Sequence, residues 1–384
     1  MGDGAGAAVA AEVRSDSFHI EALDGVRAIA FIFIMLFHGF ELWKDSEMPP
    51  ALNAPYFVAG ALWTGVDLFF VLSGFLITGI LLRARDQPHG LRIFYVRRTL
   101  RIFPPYYLVL AGLFCLLLFT EGLDAVLRSE RLSYWTYSHN FFVAIQSWDD
   151  FRSLAHLWSL AVEEQFYLFW PLVILLLPLR HLRWITACLV VMPLLLRAAM
   201  LMAGSYYIAV YVLIFARMDA LAVGALIALL AVTAEGRDML ARLAPKLLVM
   251  GVLMMGCIAV WRQGYDLDDA VVQTLGYSAN LVAAAGLISI LCFGSNVHRT
   301  TALFSMAALT WVGRRSYMGY LLHWPVAIQV HHRLVAWGVE PATGLIINLV
   351  AMSGIALAGA ELSWRFYERG WLRLRGRYAP SPAN

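Results

Sequence analysis

The sequence predicts an all-α, polytopic integral membrane protein of about ten transmembrane helices, on three observations: composition, the spacing of the apolar runs and the placement of the arginines. Of 384 residues, 61% are apolar and only 14% charged; mean hydropathy is +0.69, too apolar for a water-soluble domain of this length. The apolar residues fall in separate runs near 20 residues, the length a helix needs to cross a hydrocarbon core. One membrane domain over 23–364 is expected, with a cytoplasmic N-terminal tail (1–22) and a basic cytoplasmic C-terminal tail (365–384).

Taken in order, the first span (about 23–42) carries Arg27 and His38, and the second (60–82) carries Asp67 and Ser73. The third (102–119) follows an arginine-rich loop ending in Arg97, Arg98 and Arg101 and opens on Pro104 and Pro105. HLWSLAVEE begins the fourth (158–179); Arg197 sits in the fifth (184–203), Arg217 and Asp219 in the sixth (207–232). The seventh (246–262) and eighth (277–294) are plain apolar runs, the ninth (316–336) contains His323, and the tenth is 343–363. Numbering alternate sides from the N-terminus, one side holds 20 Lys and Arg outside the spans and the other six. The positive-inside rule then places both termini in the cytoplasm, as an even number of spans requires, and a bacterial inner membrane is the expected location. A net charge of +3 is explained by this topology, so no nucleic-acid partner is expected. Cys115, Cys188, Cys257 and Cys292 fall in four different apolar runs without metal-ligand spacing and are expected to be packing residues; no metal is expected. The start has neither a signal-peptide pattern nor a myristoylation site, so no processing is expected there. The longest polar stretch, 120–157, with YWTYSHNFF and QSWDDF, reads either as a lid or acceptor-binding loop or as a solvated connector.

Arg27, His38, Asp67, Glu163, Glu164, Arg197, Arg217, Asp219 and His323 all lie within spans. An ionised group facing lipid at mid-helix costs roughly 2.5–3.5 kcal/mol, so half of these turned outward would cost ~10 kcal/mol, as much as a whole domain's net stability. They must face one another or water. That marks a substrate path, a proton relay or a catalytic cavity, with structural ion pairing as the alternative. Arg27 and His38 are 11 residues apart, within about 20° of three full turns, so they share a face and stand about 16 Å apart along it. A guanidinium at the inner mouth suits a phosphate and a neutral imidazole at depth suits a general base, so that face can hold both ends of a long phosphorylated donor. A snorkelling arginine and a histidine bonded to a neighbouring helix fit the same spacing. Asp67 and Glu163 lie at a depth similar to that of His38, so their carboxylates are expected to meet the imidazole. Glu163 or Glu164 is expected to orient it, as the third group orients the base in a catalytic triad. Arg98 and Arg101, at i and i+3, can clamp one anion if their segment is helical, or simply anchor the positive side. His19 and Asp24 have an H-x4-D spacing that chance accounts for, and there is no HExxH, GxSxG or GxxxxGK[ST] pattern.

A set of segments resembles the membrane-bound acyltransferase family 3, whose members acetylate O-antigen and other cell-surface polysaccharides. They are LDGVRAIAFIFIMLFH (23–38), GVDLFFVLSGFLIT (65–78), YVRRTLRIFPPYYL (95–108), HLWSLAVEEQFYLFWPL (156–172), RMDALAVGALIA (217–228), RRSYMGYLLHWPV (314–326) and ELSWRFYERG (361–370). They run in the family's order along nearly the whole chain. The resemblance implies a ten-span bundle that moves an acyl group, most often acetyl, from cytoplasmic acyl-CoA to a hydroxyl. The family's R/K-x10-H signature falls on Arg27 and His38 and its R-x-x-R element on Arg98 and Arg101, which turns the reading of the latter pair from anchoring to binding; Ala28 replaces the glycine common after the first arginine. Some relatives carry an appended esterase-like domain that these 384 residues lack, so the acceptor is expected to reach the bundle itself. The expected mechanism has the CoA phosphates held by Arg98, Arg101 and Arg27, with His38 deprotonating the acceptor hydroxyl or relaying the acyl group. Asp67 and Glu163 or Glu164 would set its tautomer, and Ser73 and Arg217 would steady the oxyanion, with Asp219 and His323 in the same cavity. The acceptor is a cell-surface glycan or glycolipid, or a small molecule such as a macrolide. A proton-coupled exporter or flippase would use the same buried groups, though the chain shows no related halves.

Overall fold

In the computed structural model, residues 20–378 are described except 86, 147, 149–152 and 295–296. The expected N-terminal tail up to residue 19, His19, the DDF of the polar stretch and residues 379–384 lie outside the described residues. Ten long helices follow the apolar runs: α1 Glu21–Glu41, α2 Gly65–Ala84, α3 Gly90–Thr120, α4 Trp158–Leu176, α5 Leu179–Met202, α6 Ile214–Leu230, α7 Ala234–Arg262, α8 Tyr277–Phe293, α9 Ala307–Ala336 and α10 Pro341–Ser363. Among the described residues, nine stretches are long and apolar enough to cross a membrane. The difference from ten is α9, which at 30 residues has the length but not the hydropathy. Ser316, Tyr317, Tyr320, His323 and Gln329 dilute its apolar content, and it is wedged between α1 and α10. Helix α10 starts on a side-chain cap, Glu340 accepting from the Ala342 and Thr343 amides at 3.0 and 2.8 Å, bonds that hold this carboxyl below its usual range. Beyond α10 a π-helical turn, Trp364–Glu368, leads into α11 Arg369–Tyr378, which packs on α3.

The bundle has a centre and a rim. In the span containing α6, 72% of the apolar window is buried, against 17% in α5 and α7. The centre is the α2–α6 pair, and its closeness is set by glycine. A Cβ on Gly74 would sit 1.9 Å from the Leu221 oxygen, and one on Gly224 1.9 Å from the Val71 oxygen, so the two backbones touch with nothing between them, as small residues permit where no hydrophobic effect drives helices together. Three of the four cysteines, Cys115, Cys188 and Cys257, are exposed on the rim helices and Cys292 is half-buried. The expectation that they pack internally is corrected for those three: an apolar run in a bilayer serves lipid as well as neighbours.

The described residues of the stretch 120–157 are not a solvated connector. Its short helices, among them Ser129–Leu132 and His139–Ile145, fold onto the bundle with Tyr134, His139 and Asn140 buried. Tyr106 of α3 donates to the Tyr134 oxygen at 2.8 Å, and Gln165 of α4 bonds both the Tyr137 oxygen and Asn140 Oδ1 at 2.8 Å.

Candidate active site

A cavity of about 160 Å³ opens among α1, α2, α3, α4 and α9. On α2 its wall is Val66, Phe69, Phe70, Leu72, Ser73, Leu76, Ile77 and Ile80, largely a stripe at helical spacing that puts a serine among apolar neighbours. At the arginine-rich end of the bundle the wall is cationic: Arg27 from α1, Arg98 and Arg101 from α3 and Arg314 from α9. Buried Asp24 ties two of these together, bonding Arg27 Nη1 at 2.7 Å and Arg314 Nε at 3.1 Å. The start of α9 approaches α1 closely enough to allow this only because residue 313 is glycine, whose Cβ would lie 1.8 Å from the Asp24 oxygen. Arg98 lies 3.3 Å over the Tyr167 ring and 3.7 Å from Glu164, while its buried Nε has no hydrogen-bond partner among the described residues. Arg217 is also stacked and keeps spare nitrogens, but only Arg98 presents its own at the cavity wall, where an anion can reach it. Ser73 and Tyr167 bond each other through their hydroxyls, within reach of the Glu163 carboxylate.

The far end of the cavity is closed by a hydroxyl pair. Tyr320 donates to the His156 backbone oxygen at 2.7 Å, and its hydroxyl and that of Ser159 share a 2.7 Å hydrogen bond. Ile34 and Tyr320 line this end, whereas His38 and His323, about one helical turn further along the same two helices, do not. There His38 Nδ1 is 2.8 Å from His323 Nε2, and His323 Nδ1 is 2.7 Å from the Tyr320 backbone oxygen. The His38 ring rests 4.4 Å from Trp324, and His156 meets His323 edge-on at 5.2 Å. His156 also faces the backbone of Leu321, whose carbonyl has lost its helical donor because residue 325 is proline.

Of the residues singled out in the sequence, Arg27, Arg98, Arg101, Ser73, Glu163 and Glu164 line the cavity, and His38 and His323 stand just beyond its closed end. The segment holding Arg98 and Arg101 is helical, which the clamp requires. Asp67, Arg217 and Asp219 are placed elsewhere, and here the expectations are corrected. Asp67 does not meet His38; it pairs with Arg217 and accepts from Asn280 at 2.8 Å. Arg217 lies off the cavity wall, ringed by Tyr277, Tyr211, Trp158 and Phe70 with its guanidinium 4.2–5.9 Å from their centroids. Asp219 belongs to Arg197 at 2.7 Å. Azimuth decides contact: Asp67 is off the α2 stripe that faces the cavity. Nor does Glu163 or Glu164 orient His38, whose ring partner is His323. Arg314, Tyr167, Tyr317 and Tyr320 were missed. Arg314 sits in a segment of 295–315 that reads as ordinary positive-side anchoring, and tyrosine in an apolar span gives no charge signal.

Comparison with known proteins matches the acyltransferase family 3 model, described as an acyltransferase domain, to residues 20–364. The O-acetyltransferase OatA of Staphylococcus aureus, in strains NCTC 8325 / PS 47, COL and MRSA252, is 30% identical over 365 residues. That alignment covers 91% of this chain and 57% of the relative, so the chain spans little more than half the length of these relatives. No solved structure matches.

Proposed function

The chain belongs to the membrane-bound acyltransferase family 3, and we propose that within it this integral membrane enzyme carries an acetyl group, or another short acyl group, from cytoplasmic acyl-CoA to a hydroxyl of a cell-surface glycan or glycolipid. The observation that carries the reading is the cavity itself, cationic at one end and stopping one turn short of a histidine pair at the other. Its volume of about 160 Å³ is well below the 300 Å³ or more that a drug-sized ligand fills, so only the acyl-bearing end of a long donor would enter it. The nucleotide would stay at the mouth, where Arg27, Arg98, Arg101 and Arg314 suit phosphates. The relatives' name, O-acetyltransferase, favours acetyl and a hydroxyl acceptor. With the arginine-rich end in the cytoplasm, as the 20-to-6 distribution favours, both termini are cytoplasmic, and the expected membrane is a bacterial inner membrane.

In this scheme the acceptor approaches His38 from the outer side. His38 takes the hydroxyl proton, the oxygen attacks the thioester carbonyl, the carbon–sulfur bond breaks, and the departing thiolate recovers the proton from the imidazolium. Movement of the Ser159–Tyr320 pair and Ile34 is needed to join the two halves of the path. Glu163 serves as counter-charge to Arg98, close to the Ser73 and Tyr167 hydroxyls in the cavity wall. Proteoliposomes containing the purified protein, given acetyl-CoA labelled in the acetyl group, test this: label should pass to an envelope glycan extract and His38→Ala should lower transfer about 10²- to 10⁴-fold. Full transfer by His38→Ala, or no transfer of label from acetyl-CoA by the parent, overturns the reading. Mass spectrometry of envelope material from a deletion strain identifies which hydroxyl loses its acetyl group.

A further inference from the structure

One backbone oxygen dictates which nitrogen of His38 is free. A carbonyl oxygen only accepts, so the 2.7 Å contact to the Tyr320 oxygen requires the proton of His323 to be on Nδ1. In a neutral imidazole the other nitrogen then holds a lone pair. That nitrogen, His323 Nε2, is 2.8 Å from His38 Nδ1, so His38 must donate from Nδ1 and is left with a bare lone pair on Nε2. The geometry suits such a bond. The ring planes differ by 13° with centroids 5.1 Å apart, so two rings whose nitrogens touch at 2.8 Å meet end to end in a shared plane, with the donor directed along the acceptor's lone pair. The arrangement is held from all sides. His323 is fully buried, Phe31 stands edge-on to it at 6.0 Å and Phe37 flanks His38 at 5.4 Å. The Tyr320 hydroxyl, bonded to Ser159 and to the His156 oxygen, pins the turn of α9 that supplies the carbonyl.

We infer that His323 is a positioning residue that fixes His38 in the Nδ1–H tautomer and so presents Nε2 as the base. The inference rests on the reading of His38 as the base and supplies the orienting group that the carboxylates do not. It also explains why an imidazole stands where soluble triads use a carboxylate: flanked by Phe31, Phe37 and Trp324, a permanent negative charge would be costly, whereas a neutral ring fixes the tautomer without one.

Two measurements test it. Nitrogen-15 NMR of the unsubstituted protein, labelled at histidine and assigned by loss of the signal in His38→Ala, should report a protonated Nδ1 and an unprotonated Nε2 for His38; the reverse tautomer overturns the inference. In labelled acetyl transfer, His323→Leu should lower kcat about 100-fold or more, as a wrong tautomer does in a triad, with KM for acetyl-CoA and the thermal midpoint unchanged. His323→Gln, whose amide oxygen can accept from His38 Nδ1, should recover to within about tenfold of the parent. Parental kcat in His323→Leu, or a Gln variant as slow as the Leu variant, overturns it. Full activity in His38→Ala would instead remove the function proposed above, so the two failures are told apart.

Discussion

Two groups of charges lie buried in this bundle, and they solve the same problem in opposite ways. Around α2, α5 and α6, Asp67, Arg217, Asp219 and Arg197 are matched one to one, with Asn280 and the Tyr277 ring filling in. None of the four lines the cavity. Some 150 residues of sequence separate Arg217 from Asp67, so the pair fastens the central helices to one another. In the cavity, by contrast, cations are gathered on an open wall: Asp24 is divided between two arginines, Glu164 stands 3.7 Å from Arg98, and the spare Arg98 Nε lies where a guest can reach it, whereas the spare nitrogens of Arg197 and Arg217 are sealed in the core. Matched charge holds a membrane bundle together, whereas cations brought side by side leave it prepared for an anionic guest.

The sharpest way to break this contrast is to unbalance the matched group. Arg217→Leu leaves Asp67 buried without its cation and should cost about 3–5 kcal/mol, read as loss of the folded peak and a lower thermal midpoint in detergent. Adding Asp67→Leu should restore most of that loss, because an apolar pair of similar size often replaces a buried ion pair at little cost. A double variant as unstable as the single one would mean that the pair does more than balance charge. In the cavity the same kind of change should spare the fold. Arg98→Ala should raise KM for acetyl-CoA about 10- to 100-fold, the worth of a charge-assisted hydrogen bond of roughly 1.5–3 kcal/mol, with the thermal midpoint little changed; a large drop in midpoint with unaltered KM would place Arg98 in the structural group. Raising ionic strength should weaken donor binding at the mouth more than it alters stability. The smallest effect is expected on the rim, where Cys188→Ser should change stability by less than about 0.5 kcal/mol.

The helices were legible because a bilayer imposes length and hydropathy on each run separately. The span that stands apart, α9, does so for a reason visible in its residues: it trades apolar side chains for Tyr317, Tyr320 and His323 at the site. Arg27, Arg98 and Arg101 could be read as cavity residues from spacing and resemblance, since each lies on the face of its own helix that its neighbours there predict. What sequence spacing could not supply was the angle between helices. Asp67 turns to Arg217 and Asn280 while His38 turns to His323, so a plausible contact was the wrong one. His323 was visible as a buried histidine, yet its partnership with His38 joins residues 285 positions apart, which no local pattern encodes. Tyr320 was hidden altogether, because its part lies in a backbone oxygen and a hydroxyl.

The Ser159–Tyr320 closure has a consequence for the cell that houses the enzyme. A continuous water column from the arginine mouth to the histidines would let protons run down their gradient through every idle copy. A plug about one helical turn thick would keep the resting bilayer electrically tight and, on the transfer proposed above, would leave only a short gap for the acyl group to cross.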